Sequence, residues 1–212
     1  MDRIGTDEAG KGDYFGPLAV AAVHADAGGD AELRRLGVRD SKRLKDGRVL
    51  ELERKVKDGF SYDVVKINPE RYNTLYRKLG NLNVLLAWAH ARAIENLLAK
   101  VRCGLVISDQ FGDRRFLEEK LMAEGRKVRL EQRTKAESDL AVAAASVLAR
   151  AAYLRALEGM RGRYGVMFPK GATEVEDAGR TFVEIYGTDR LGEVAKLHFK
   201  TTERVIGELK TV

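Results

Sequence analysis

The sequence predicts an α/β fold, because short apolar runs of strand character alternate along the chain with segments of helical periodicity. The strongest run, Gly104-Leu105-Val106-Ile107-Ser108-Asp109, ends in a carboxylate, and open α/β sheets present ligand groups at such strand ends. A second acidic position follows the first strand-like segment, in the stretch Asp7-Glu8-Ala9-Gly10-Lys11-Gly12-Asp13-Tyr14-Phe15-Gly16-Pro17. There a glycine-bracketed lysine follows two adjacent carboxylates, so phosphate and divalent cations can meet.

The elements follow in order. Residues 3–6 and the small apolar segment Leu18 to His24 read as a strand and its return, joined by a glycine turn that sets Asp7 at the sheet edge of a cleft. The spacing Gly10, Gly12, Gly16 is neither the dinucleotide fingerprint nor a Walker A loop. Gly28 and Gly29 mark a loop before a short helix at 31–37. Asp40-Ser41 then precedes a helix running through Leu50, Leu52 and Val56, and reads equally as its cap or as part of a phosphate site at its N-terminus.

Tyr62 to Ile67 is the next strand, and Asn68-Pro69 turns the chain toward a short helical region near Tyr72-Asn73. Asn81 to Lys100 is a long helix whose apolar face includes Leu82, Leu85, Leu86, Ala89, Ala93, Leu97 and Leu98; Trp88 packs and His90 faces solvent. After the 104–109 strand come a charged helix at 114–124, a strand at 127–132, and a helix from Ser138 to Leu157. The alanines 141, 143, 144, 145 and 149 let that helix lie close to the sheet, bringing Glu137 toward Asp7 and Asp109. Glu137 also fits a capping box with Thr134 as N-cap, and Asp139 suits the helix N-terminus. A looser basic stretch at 159–170, a helix at 174–186 and a final short helix with Val205, Ile206 and Leu209 inward complete the chain; His198 reads as a phosphate contact or a local hydrogen-bond partner.

A chain of 212 residues can bury one sizeable core, and no internal repeat or linker divides it, so a single domain over 1–212 is expected, with a C-terminal helical portion from about 159. The single Cys103 excludes an intramolecular disulfide and a thiolate zinc cluster. Neither a signal peptide nor a run of 18 apolar residues is present, which predicts a cytoplasmic protein with no membrane partner. The net charge of +6 favours an anionic partner, nucleic acid first. Monomer is the default expectation.

Taken together, Asp7-Glu8-Ala9-Gly10-Lys11-Gly12, Asp40-Ser41-Lys42, Tyr72-Asn73-Thr74-Leu75, Ser108-Asp109 and Lys135-Ala136-Glu137 with Ala143 to Arg150 resemble the type 2 ribonuclease H family, and within it ribonuclease HIII. The matches run in order from 3 to 202. The resemblance implies an RNase H-like fold, with a central five-stranded mixed sheet flanked by helices and followed by C-terminal helices. It also implies hydrolysis of the RNA strand of an RNA/DNA hybrid, leaving 5'-phosphate and 3'-hydroxyl ends. The family's four catalytic, metal-binding carboxylates carry over onto Asp7, Glu8, Asp109 and Glu137. Glutamate in the fourth position and lysine between Gly10 and Gly12 follow the HIII pattern, where ribonuclease HII usually has aspartate and arginine.

Two positions depart from the pattern. Ribonuclease HIII usually carries an extra N-terminal substrate-binding domain, for which Asp7 stands too near the start of this sequence. In Lys170-Gly171-Ala172-Thr173, alanine stands near where HII enzymes have the tyrosine that reads an RNA-DNA junction, with Tyr164 and Tyr186 as possible substitutes.

Clustered carboxylates repel one another unless metal or protons intervene, and hard oxygen ligands suit Mg²⁺ or Mn²⁺, with two ions about 4 Å apart in the substrate complex. Gly10, Lys11, Gly12, Ser41, Lys42, Asn73 and Lys200 are the expected substrate contacts. Three alternatives remain: HII-like incision at single ribonucleotides embedded in duplex DNA, a DNA-cutting nuclease on the same fold, and a non-catalytic basic nucleic-acid-binding module.

Overall fold

The computed structural model describes residues 1–207; Leu209, expected in the last helix, lies outside them. Five strands form one mixed sheet in the order β3-β2-β1-β4-β5: β1 Arg3–Ala9, β2 Leu18–Ala25, β3 Tyr62–Ile67, β4 Leu105–Asp109 and β5 Arg129–Arg133. β1 pairs antiparallel with β2, and β4 runs parallel to both β1 and β5. Asp7 is therefore not at a sheet edge. It sits on the central strand, paired with Ala21.

Eight α-helices accompany the sheet in the described residues: α1 Ala27–Leu36, α2 Asp46–Gly59, α3 Pro69–Leu79, α4 Leu82–Leu98, α5 Arg114–Lys120, α6 Leu140–Tyr164, α7 Glu176–Tyr186 and α8 Thr201–Gly207. The differences from expectation lie at their ends. Gly28 and Gly29 belong to the first turn of α1, where Asp26 accepts from Gly29 N at 2.7 Å. Pro69 opens α3 at its first turn, where a missing N–H costs nothing. Ser41 to Arg43 form a separate 3-10 turn capped by Asp40, and α2 begins only at Asp46. α6 continues past Leu157 to Tyr164. It is long and apolar enough to cross a membrane, but 67% of its most apolar stretch is buried inside the protein, as befits a core helix.

The chain resolves into two compact, interleaved units. The first comprises Met1–Ala9, Ala19–Val65 and Asn81–Ala152, and holds nearly all of the sheet with α1, α2, α4, α5 and the first half of α6. Its tightest contact explains the alanine run. A Cβ on Gly5 would lie 2.2 Å from Val142 N and 2.3 Å from Ala141 C, so the first turn of α6 rests directly on the backbone of β1.

The second unit comprises Gly10–Leu18, Lys66–Gly80 and the chain from Tyr153 onward. Its centre is the fully buried Lys196, whose Nζ donates to the carbonyls of Asp13 and Gly16, each at 2.7 Å. Burial brings this ammonium down to about 7, against the opposing pull of Asp13. Lys196 N donates to Tyr14 O, and Tyr14 N to Gly171 O, so the glycine-rich segment is laced between two later stretches of chain.

Gly5→Ala is expected to destabilise the fold by about 3 kcal/mol or more, since only backbone stands in the way of its methyl group. Gly12→Ala, whose Cβ would meet nothing within 4 Å, should stay within about 0.5 kcal/mol of the parent. Urea unfolding midpoints of the two variants provide the check.

Candidate active site

The parallel pairing of β1 with β4 matches Thr6 to Ser108, and one residue further along each strand stand Asp7 and Asp109. Strand alternation sends neighbouring side chains to opposite faces of the sheet. Gly5 and Asp7 face α6, where Ser146 hydrogen-bonds the Asp7 carboxylate. Thr6 and Glu8 face α4, where His90 meets both. The consecutive carboxylates are thus held by different helices.

Asp7 is only 8% exposed. Its Oδ1 accepts from Glu8 N at 2.8 Å. Burial, followed by the charges of Glu8 and Asp109, pushes its carboxyl up to about 7, while the bonds from Glu8 N and Ser146 pull the other way. Behind it, Ser146 Oγ and Ser41 Oγ lie 2.6 Å apart. Arg150 donates to Ser41 O and, at 2.6 Å, to Asp46.

The turn that carries Glu137 is tied to Asp109. After β5 the chain turns through Lys135, with its positive φ of 55°, into a short 3-10 turn at Ala136–Ser138. Asp109 Oδ1 accepts from Ala136 N at 3.0 Å and so ties that turn to the end of β4. The capping-box reading of Glu137 does not hold. Asp139 takes the first-turn amides of α6, accepting from Ala141 N at 2.9 Å and Val142 N at 3.3 Å, and also pairs with Arg3. Glu137 is half-buried and has no part in capping α6.

His90 is a correction to the sequence reading. Expected to face solvent, it is fully buried, with Nδ1 3.0 Å from Thr6 Oγ1 and Nε2 3.1 Å from Glu8 Oε2. Its ring stacks on Phe111 at 4.8 Å. The Glu8 side chain is 12% exposed, so this contact fixes a nearly buried carboxylate. His90 and Ser146 were both legible as lone polar residues inside apolar helical runs, since buried polar groups require partners.

The expected substrate contacts separate into two kinds. Ser41 and Asn73 are internal supports. Ser41 is buried against Ser146, and the Asn73 amide donates to Gly192 O and Ala195 O and accepts from Leu197 N. Gly10, with φ of 85°, is pressed against its own chain, where a Cβ would lie 2.1 Å from Pro17 O. Gly12, Lys42 and Lys200 are exposed, and Lys11 is half-buried. His198 stacks on Tyr76 at 4.3 Å, and both burial and Lys196 lower its pKa. The hydroxyl of Tyr164 is committed to Glu193 at 2.6 Å, and that of Tyr186 to the carbonyl of Tyr164 at 2.8 Å.

All-oxygen donors at the end of two central strands, including a buried carboxyl strained by two like charges, fit hard divalent cations better than any organic ligand.

Known proteins resemble this chain closely. The sequence model of the ribonuclease HII family matches residues 4–202. The ribonuclease HIII of Protochlamydia amoebophila (strain UWE25) is 43% identical over 208 residues, covering 98% of this chain and 69% of the relative. That of Chlamydia abortus (strain DSM 27085 / S26/3) is 42% identical over 203 residues, covering 94% and 68%. Among solved structures, Bst-RNase HIII in complex with Mn²⁺ aligns over 100% of this chain and 71% of its own, with a TM-score of 0.91 at 30% identity. Ribonuclease H2 from Pyrococcus horikoshii OT3, 23% identical, shares the fold over 100% of both chains with a TM-score of 0.84.

His90→Phe keeps an aromatic ring beside Phe111 but leaves Thr6 Oγ1 and Glu8 Oε2 without this partner. It is expected to cost about 2–4 kcal/mol in chemical denaturation. Adding Glu8→Leu should recover part of that loss, because the buried charge goes too; strict additivity would separate the two residues.

Proposed function

The chain belongs to the ribonuclease HII family, on its ribonuclease HIII side, and from that premise we propose an endoribonuclease that hydrolyses the RNA strand of RNA/DNA hybrids with divalent cations held by Asp7, Glu8, Asp109 and Glu137. The observation that carries this reading is the Asp7 carboxyl, buried between like charges and shifted to about 7. Such a group is held at a cost unless a cation or a proton offsets it. Mg²⁺ or Mn²⁺, two ions in the substrate complex, would supply an activated water and stabilisation of the departing ribose oxygen, giving 5'-phosphate and 3'-hydroxyl ends.

The chain's own residues divide the remaining work. Asp7 is the central ligand, oriented by Ser146 and Glu8 N. Asp109 serves twice, as a ligand and as the acceptor that anchors the Glu137 turn. Glu8, on the opposite face and restrained by His90, adds charge beside Asp7. In the first unit, the exposed Lys42 is suited to a phosphate contact that positions the backbone without reading bases. In the second, Lys11 and Lys200 are proposed for the same role, and the open backbone at Gly12 for recognition of the 2'-hydroxyl.

The test uses three labelled duplexes of one sequence, in Mg²⁺ and in Mn²⁺: an RNA/DNA hybrid, a DNA duplex with one ribonucleotide, and all-DNA. The hybrid is expected to be cut. The single ribonucleotide should be cut poorly, since Ala172 stands near the expected junction tyrosine and the Tyr164 and Tyr186 hydroxyls are committed elsewhere. Asp109→Asn can still accept from Ala136 N and should fold and bind hybrid. Its turnover should fall by more than about 100-fold, because loss of a ligand exceeds the usual cost of losing a residue that only orients one. Near-normal cleavage by that variant would remove Asp109 from the site, and cutting of all-DNA would overturn the reading.

A further inference from the structure

At the end of the sheet away from the carboxylates, three side chains of different chemistry converge. Asp2 precedes β1, His24 lies near the end of β2 and pairs with Ile4, and Cys103 stands two residues before β4, whose Val106 also pairs with Ile4. β2, β1 and β4 are consecutive in the sheet, so the three residues come from neighbouring strands at one end. One ligand atom from each, a carboxylate oxygen, an imidazole nitrogen and the thiol sulfur, lie within 4.8 Å of one another. Asp2 Oδ1 and His24 Nε2 are 2.6 Å apart.

From this geometry we propose a second metal site, distinct from the carboxylate site, in which Asp2, His24 and Cys103 bind a borderline-soft divalent cation of the Zn²⁺ class. Mixed oxygen, nitrogen and sulfur donors favour such an ion, whereas Mg²⁺ and Mn²⁺ favour the all-oxygen set at Asp7. One chain thus carries two sites that sort metals by ligand softness.

The dimensions allow it. With metal–ligand bonds of about 2.0–2.3 Å, tetrahedral ligand atoms stand roughly 3.3–3.7 Å apart. The three atoms already lie within 4.8 Å, and the only opening needed is between Asp2 and His24, now hydrogen-bonded at 2.6 Å. Asp2 can supply that movement, because its side chain is 56% exposed at the start of a strand. The fourth position is left to water. Cys103 now donates its S–H to Leu105 O at 3.2 Å, and metal binding replaces that proton, releasing H⁺ as the sulfur–metal bond forms. The Arg3 guanidinium beside the site is already paired with Asp30 and Asp139. A bound ion would link three adjacent strands and stabilise the first unit, without entering the hydrolytic reaction.

Co²⁺ is the probe. Added to the reduced, metal-free full chain, it should give a thiolate-to-cobalt charge-transfer band in the near ultraviolet, saturating at one ion per chain and abolished by Zn²⁺. Cys103→Ala should lose the band, and His24→Gln should bind at least tenfold more weakly. Zn²⁺ should raise the unfolding midpoint of the parent, and by clearly less for Cys103→Ala. Mg²⁺-supported cleavage by Cys103→Ala should match the parent, which separates this site from the hydrolytic one. Absence of the band in the parent, or equal Zn²⁺ stabilisation of parent and Cys103→Ala, would overturn the proposal.

Discussion

The burial of Asp7 beside Glu8 and Asp109 is the constraint on which the first unit is built. A carboxylate of that kind must be held in place against both desolvation and repulsion. The structure does so with covalent geometry and close packing. Asp109 ends β4 and Asp7 stands two residues before the end of the parallel β1, and a glycine lets the first turn of α6 sit on β1 so that Ser146 reaches Asp7. The donors on Asp7, one amide and one hydroxyl, favour its charged form without outweighing its burial. The remaining imbalance is what a divalent cation would offset.

Strand alternation then assigns the two consecutive acidic residues to separate supports. Asp7 is served by α6, and Glu8 by α4 through His90. Asp109 extends the construction to a fourth carboxylate by holding the turn that carries Glu137. The second unit has a comparable internal anchor in Lys196, which spends its donors on the carbonyls of Asp13 and Gly16 and so fixes the shape of the glycine-rich segment. In both units, buried polar side chains set the conformation of neighbouring segments.

Much of this was legible from residue patterns. The β3 strand at Tyr62–Ile67 and the carboxylate ending β4 follow from apolar runs, and the close approach of α6 from its alanines. Helix ends are less legible, because glycine in a sequence reads as a loop residue. Gly28 and Gly29 lie within α1, and Gly159 and Gly162 within α6, where capping or packing outweighs their weak helix preference. From the hairpin alone Asp7 reads as an edge residue, because the hairpin does not reveal the parallel neighbour that joins from about 100 residues later in the chain. His90 is misread from its local pattern because Thr6 and Glu8, its partners, are distant in sequence, and the Thr134–Glu137 capping box gives way to Asp139, the residue also expected at that helix N-terminus. Local spacing ranks local caps first and cannot weigh tertiary contacts.

The most direct measurement is the stability of Asp7→Asn against the parent, in chelator and in Mg²⁺, across pH. With its carboxyl at about 7 in the fold and near 4 when unfolded, the parent holds an extra proton when folded over that window. Its stability should therefore fall as pH rises from about 4 to 7 and level off above. At pH 8 in chelator, Asp7→Asn should be the more stable protein by roughly 1–4 kcal/mol. Mg²⁺ should stabilise the parent and barely affect the variant. An Asp7→Asn protein no more stable than the parent in chelator, or equally stabilised by Mg²⁺, would contradict the claim that a strained carboxylate set at the end of β1 and β4 is the cation site.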